Sequence, residues 1–194
     1  MMAKFETLRV KAAHLVGRRC DEGLAAIEFA MIVPVYLMIL IGAIDMGGML
    51  YSSYRLETAV AAGSEYAALN SASVNGTNGA SLATSIAGVV ENANGSAWAN
   101  DTVVVNDGPA VTVTGGSSSS SGTAANANNC YCPTGSPPNV TWGSAATCGS
   151  SCAGGGEAGK FVTITANVAY TPLFSTYGMI PNETLTQNAT VEIQ

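Results

Sequence analysis

Positive charge is nearly absent from most of this chain. Of its 194 residues only seven are Lys or Arg, and five of those (Lys4, Arg9, Lys11, Arg18, Arg19) fall within residues 1–23. Residues 24–194 keep only Arg55 and Lys160 against ten acids, a net of −8. Histidine is scarcer still: the single one, His14, also lies in the basic head. Each absence removes a class of chemistry. Ser–His–Asp and Cys–His catalysis need an imidazole beside the nucleophile, and zinc hydrolases of the usual kind need imidazole ligands. Phosphate backbones need several cations in one groove. An enzyme and a nucleic-acid-binding protein are therefore not expected, and neither a cofactor nor a metal site is. Charged residues make up 10% of the chain, well under the roughly 25% of soluble domains. That content also excludes a highly charged disordered tail and a coiled coil. The length suits one ordinary domain with an accessory segment.

What the chain has instead is a long apolar run. Leu24 to Ile44 reads LAAIEFAMIVPVYLMILIGAI, 21 residues with Glu28 as the one charge. As a helix it spans about 31 Å, close to the hydrocarbon thickness of a bilayer. Apolar residues surround it without a polar stripe. The basic flank before it and the acidic flank after it place the N-terminus in the cytoplasm and the remainder outside. The run is longer than the apolar core of a cleaved secretory signal, and the helical pattern continues past it. Leu56, Ala59, Val60, Gly63 and Ala67 share one helix face. One helix from Leu24 to Leu69 is expected, about 70 Å long, with its first half in lipid and its second half against an external domain. Pro34 lacks an N–H and should bend the first half. Glu28 either marks a functional site, as intramembrane carboxylates do by default, or snorkels to the cytoplasmic boundary one turn away. Asp45 falls where the span leaves the membrane and is expected to be solvated.

The stretch Gly23-Leu24-Ala25-Ala26-Ile27-Glu28-Phe29 resembles the processing site of type IV-like prepilins, which are cut after the glycine. The longer run from Glu22 to Tyr51, with Pro34, Gly42 and Gly47 in place, resembles the TadE-like family of minor pseudopilins from the tight-adherence (Flp) pilus system. Downstream, Ala59, Gly63, Tyr66 and Ala67 match a second family segment, and Tyr170-Thr171-Pro172-Leu173-Phe174 resembles a run near the end of the family's external part. The chain departs from the family pattern after the span, where Glu and Arg become Asp45 and Gly48, and at two later Arg positions, here Ala61 and Glu65. The resemblance implies cleavage between Gly23 and Leu24 by a prepilin peptidase, and roles for Glu28, Phe29 and Pro34 in assembly and register. Cleavage would create an amine on Leu24, and Glu28 would meet the amine of a neighbouring subunit. Any other axial offset leaves both charges unpaired in low dielectric.

Beyond the helix, Asn70–Ala80 reads as a polar connector. Leu82, Ile86, Val89 and Val90 mark a short helix over residues 81–93, with Ser81 as its N-cap and Gly95 as its stop. Thr102–Val105 and Ala110–Thr114 read as strands around the turn Asn106-Asp107-Gly108-Pro109. Phe161–Tyr170 and Thr184–Ile193 are two more, the last with Leu185, Ala189, Val191 and Ile193 on one face. Residues 115–159 hold 19 Gly or Ser among 45, too little apolar surface to order themselves. Yet they carry Cys130, Cys132, Cys148 and Cys152, while Cys20 stays with the leader. In an oxidising compartment these four read as two disulfides between the clusters, of either connectivity; a Cys₄ metal site is the competing reading. Tyr131 and Trp142 either form an exposed contact surface or cap this knot. The Asn-x-Ser/Thr triplets at Asn94, Asn100, Asn139, Asn182 and Asn188 are the chance product of an Asn/Ser/Thr-rich chain.

The expected fold is α+β and pilin-like: a long N-terminal transmembrane helix, a short helix, and a small antiparallel sheet domain with a disulfide loop. Its parts are a basic cytoplasmic leader (1–23), a membrane span (24–45), an external continuation of the helix (46–69), a helix with the first β segments (70–114), the Gly/Ser/Cys-rich loop (115–159) and the C-terminal β segments (160–194). The expected function is that of a TadE-like minor pseudopilin, taking part in assembly of an adhesive bacterial tight-adherence pilus. Its partners would be the prepilin peptidase, other pilins and pseudopilins, the pilus assembly platform and the inner membrane, with the C-terminal domain periplasmic or extracellular. The alternative is an unprocessed single-pass membrane protein with an external binding or scaffold domain.

Overall fold

Five positions on the long helix, Leu56, Ala59, Val60, Gly63 and Ala67, are all buried, and everything external is built against them. The computed structural model describes the backbone of residues 3–22 and both backbone and side chains of residues 23–93, 95, 97–173 and 183–193. The side chain of Cys20, the run's last residue Phe174, and the triplets at Asn94 and Asn182 lie outside the described residues. The helix, α1, runs from Ala3 to Leu69, 67 residues, or about 100 Å. It thus begins 21 residues before the expected start at Leu24. The leader is rich in Ala, Leu, Lys, Arg and Glu, which favour helix, and contains no proline to interrupt it. α1 also continues through Pro34 without interruption, although the ring removes the donor for the carbonyl four residues back.

α2 spans Gly79–Asn92 and buries Leu82, Ala83, Ile86, Ala87 and Val90. It starts before the expected cap Ser81, which lies inside it. Asn78 precedes it without a side-chain cap bond. Asn75 shapes this entry instead, its Oδ1 accepting the N–H groups of Thr77 and Asn78 at 2.9 and 2.8 Å.

Five strands follow where four were expected: β1 (Asn100–Val105), β2 (Ala110–Thr114), β3 (Ser117–Ser121), β4 (Lys160–Tyr170) and β5 (Glu183–Ile193). They form one sheet of order β3-β2-β1-β4-β5, with every neighbouring pair antiparallel. α1 lies over β4 and β5, and α2 over β1 and β2, so both helices cover the same face. The core between them is aliphatic, with Val103, Val105, Val111, Val162 and Ile164 rising from the strands.

The correction falls on residues 115–159, which order despite their composition. Gly115 and Gly116 take φ of +57° and +78°, the paired positive angles of a two-residue hairpin turn. The turn folds Ser117–Ser121 back onto β2, from Thr114 opposite Ser117 to Ala110 opposite Ser121. All five serines are exposed, so backbone pairing rather than apolar burial holds this edge. Further along, Cys130 bonds Cys148 and Cys132 bonds Cys152, with Cα atoms 5.1 and 5.7 Å apart. All four sulfurs are in disulfides, which removes the Cys₄ reading. Tyr131 is buried and exchanges backbone hydrogen bonds with Gly159, closing the loop at its base. The half-buried Trp142 stands edge-on to it, ring centroids 5.9 Å apart.

Asn106 joins these parts. It is fully buried in the β1–β2 turn. Its Nδ2 donates to the carbonyls of Ala127 and Asn129 at 3.2 and 2.6 Å. Its Oδ1 accepts the Phe161 N–H at 3.2 Å, so one carboxamide ties the hairpin to the start of the cysteine loop and to β4.

Gly63 is where α1, α2 and β4 converge. A Cβ there would lie 2.8 Å from Val90 Cγ2 and 3.3 Å from Ile164 Cδ1, whereas one at Gly47 meets nothing within 4 Å. Gly63→Val is expected to destabilise the external domain by about 1–3 kcal/mol, the usual cost of overpacking. Gly47→Val is expected to leave it unchanged. Urea unfolding of the detergent-solubilised chain, followed by near-ultraviolet circular dichroism, checks the pair.

Candidate assembly surface

The last turn of the apolar span is clamped by the far end of the sheet. Asp45, expected to be solvated, is 2% exposed. The chain leaving β4, Tyr170-Thr171-Pro172-Leu173, crosses over it. Tyr170 Oη donates to the Asp45 carbonyl at 2.7 Å, and the Leu173 N–H donates to Asp45 Oδ1 at 3.0 Å. The sequence cannot bring these groups together locally, because they are 125 and 128 residues apart. Gly48 makes room: a Cβ there would lie 2.8 Å from Tyr170 Oη. The departure from the family pattern at Gly48, which has Arg there, is thus the space that Tyr170 fills. Each such hydrogen bond is worth about 0.5–1.5 kcal/mol net, so the two together attach the strap at the level where the span ends.

On the outward sides of α1 the apolar residues stay uncovered. Leu24, Ile27, Phe29, Met31, Ile32, Met38 and Ile39 are all exposed, with Glu28 exposed among them. α1 is long and apolar enough to cross a membrane, and its most apolar window is not buried by any of the described residues. Exposure continues past Asp45 to Met46, Leu50, Tyr51 and Tyr54. From Leu24 to Tyr54 the rod rises about 45 Å, against about 30 Å of hydrocarbon. Leu173, 77% exposed on the strap, adds to the uncovered apolar surface beside Asp45. Gly23, Leu24, Glu28, Phe29 and Pro34 therefore share one unburied helical stretch, while the four cysteines belong to the sheet domain.

Both cations beyond residue 23, Arg55 and Lys160, are engaged. The Arg55 guanidinium lies 4.7 Å from the Trp98 ring centroid and 5.6 Å from that of Tyr51, a cation–π arrangement between rod and domain. Lys160 Nζ donates to the Val74 carbonyl at 2.9 Å, fastening β4 to the turn after α1.

Asp101 lies one residue ahead of the strand start expected at Thr102, and spacing did not single it out. It is 1% exposed, and neither carboxylate oxygen has a hydrogen-bond partner among the described residues. Burial, and secondarily the Glu91 charge, push its pKa from 3.8 up to about 7. The signal was present: alternation places Asp101 on the face of Val103 and Val105, the buried one.

Residues 23–65 match the family model described as TadE-like protein. That segment opens at Gly23 and covers the uncovered rod, the clamped turn at Asp45–Gly48 and the packing face as far as Gly63. No curated protein matches the chain, and no solved structure does.

Tyr170→Phe removes one bond of the clamp and is expected to cost about 1 kcal/mol. Its signature is local: faster amide exchange at Leu173, with protection in β1 and β2 unchanged. Asp101 gives a global signature. Folding raises its pKa, so the folded state keeps a proton that the unfolded chain releases. Stability is fullest below pH 3.8 and falls as pH rises towards 7, by at most about 4 kcal/mol. Urea midpoints measured across that range are expected to decline with pH in the native chain and to flatten in Asp101→Asn.

Proposed function

From the TadE-like segment at residues 23–65, we propose that the chain is a minor pseudopilin, a non-catalytic structural component that takes part in assembling a tight-adherence (Flp type IV-like) pilus used in adhesion. The observation that carries this reading is the coincidence of that segment with a rod whose apolar surface nothing among the described residues covers. A bilayer covers about 30 Å of it. Helices of other pilins and pseudopilins would cover the rest, at Met46, Leu50, Tyr51 and Tyr54. In this reading the leader is cytoplasmic, the external domain is periplasmic or extracellular, and a prepilin peptidase cuts between Gly23 and Leu24. Glu28 then pairs with the Leu24 amine of a neighbouring subunit and sets the axial register, with Phe29 beside it and Pro34 one helical segment on. The assembly platform in the inner membrane would receive the processed rod.

One observation favours the other reading, an unprocessed single-pass protein with an external scaffold domain. α1 passes through Gly23 as continuous helix, whereas a protease normally needs its scissile bond extended.

Intact mass of the membrane-purified chain, with and without a co-expressed prepilin peptidase, separates the two. A new N-terminus at Leu24, lost in Gly23→Ala, is expected. Under non-reducing conditions the mass should also fall short of the fully reduced value by the four hydrogens of two disulfides. In processed material, Glu28→Gln is expected to abolish recovery of the chain in sheared pili while leaving cleavage intact. An uncut leader in the peptidase-positive strain would overturn the pseudopilin reading.

A further inference from the structure

The face of the sheet turned away from both helices carries a groove of about 510 Å³, roofed on one side by the cysteine loop. Its floor comes from the outward positions of the strands, chiefly Thr163, Thr165, Asn167, Thr184 and Thr186. Their side chains enter no hydrogen bond among the described residues, whereas the Thr102 hydroxyl at the margin meets that of Thr112 at 3.3 Å. Strands stand about 4.8 Å apart, and outward residues recur about every 6.7 Å along each one. The floor is therefore a two-dimensional grid of unused donors and acceptors. The wall is apolar: Pro137, Pro138, Val140 and the Trp142 ring. It is held in place by both disulfides, by the pairing of Thr134 with Thr141, and by the edge-on contact of Trp142 with the buried Tyr131.

We propose that this groove binds a neutral oligosaccharide, with one pyranose ring laid against Trp142 and its hydroxyls on the Thr/Asn floor. Three features select that ligand. No charged residue lines the groove, and residues 24–194 carry a net of −8, which repels acidic glycans, phosphates and nucleic acids. An extended peptide adds to a sheet through free backbone groups at an edge. Here the floor is a face of the sheet, which presents side chains and not backbone groups. The ladders of β1 with β4 and of β4 with β5 use the backbone groups between its strands, and only the outer side of the edge strand β5, beside the floor, is left over. A sugar ring has an apolar C–H face that suits the negative face of an indole, and it carries hydroxyls around its edge. That division matches an apolar wall standing on a hydroxyl-rich floor.

The test is isothermal titration of the full chain in a non-glycosidic detergent, since maltoside or glucoside headgroups would compete. The probes are neutral hexasaccharides of the cello-, malto-, manno- and chito- series, with an oligogalacturonate as the acidic control. At least one neutral hexasaccharide is expected to bind saturably and the acidic one not to. Trp142→Ala is expected to weaken binding about tenfold or more, the equivalent of a lost aromatic anchor. Because Trp142→Ala also removes a contact with Tyr131, Thr165→Val/Thr186→Val serves as the second variant. It deletes two hydroxyls without altering shape, and it should weaken binding comparably with no change in the urea midpoint. The proposal is overturned if no neutral probe binds in the millimolar range, if the double variant binds as well as the native chain, or if the acidic probe binds more tightly than the neutral ones.

Discussion

Everything external hangs on the close approach at Gly63. A sheet and a second helix can settle on a rod only if the rod presents a low ridge, and Ala59, Gly63 and Ala67 provide it. Val90 of α2 and Ile164 of β4 fill the space that a side chain at Gly63 would take. Because α2 covers β1 and β2 while α1 covers β4 and β5, this contact sets the position of all four strands together. The opposite sides of the same helix stay apolar and uncovered. One element therefore serves as core for the domain on one side and presents an apolar, membrane-length surface on the rest.

That double use explains which parts were legible in the sequence. Periodicity reports burial within a regular element, so the face from Leu56 to Ala67, the apolar side of α2, and four of the five strands were readable from spacing alone. β3 was not, because composition argued against it. A run of five serines buries nothing, and its order comes from pairing with β2 after a Gly-Gly turn. The local signal was the dipeptide Gly115-Gly116, a hairpin mark that outweighs the polarity of the serines after it. Asp45 failed for a different reason. Position along a membrane span predicts exposure to water only if nothing else reaches that level, and the strap that covers it arrives from Tyr170–Leu173. Asp101 shows a third limit. Starting the strand at Thr102, two residues late, hides which face Asp101 takes, and Asp101 is a carboxylate in an aliphatic core.

The clamp and the cation–π contact act on the rod about three turns apart. Asp45 is tied to the end of β4, and Arg55, ten residues on, lies against Trp98 ahead of β1. These two attachments and the Gly63 contact fix the domain along about 27 Å of helix, by the 1.5 Å rise per residue. A domain held at three levels cannot swivel about the rod. Any axial or rotational position imposed on the helix is therefore carried to the groove and to the cysteine loop, whose base is itself tied to the sheet through Asn106 and Tyr131.

Helix polarity gives the proposed processing step a consequence beyond the removal of five cations. In the uncut chain α1 starts at Ala3, so Glu28 sits deep within a helix whose positive end is about 37 Å away. The macrodipole is felt within the first turn and hardly beyond it, and Glu28 gains nothing from it there. Cutting after Gly23 makes Leu24 the first residue. The unsatisfied N–H groups of the new first turn and the new amine then stand within about one turn of the Glu28 carboxylate. With that cut the same side chain would pass from an apolar mid-helix position to a helix N-terminus, where negative charge is favourable. Its own amine also becomes a competitor for the neighbour's. In the proposed assembly, intermolecular pairing at Glu28 would therefore have to win on geometry rather than on charge alone, and the exposed apolar stretch from Leu24 to Tyr54 is the surface on which neighbouring helices would set that geometry.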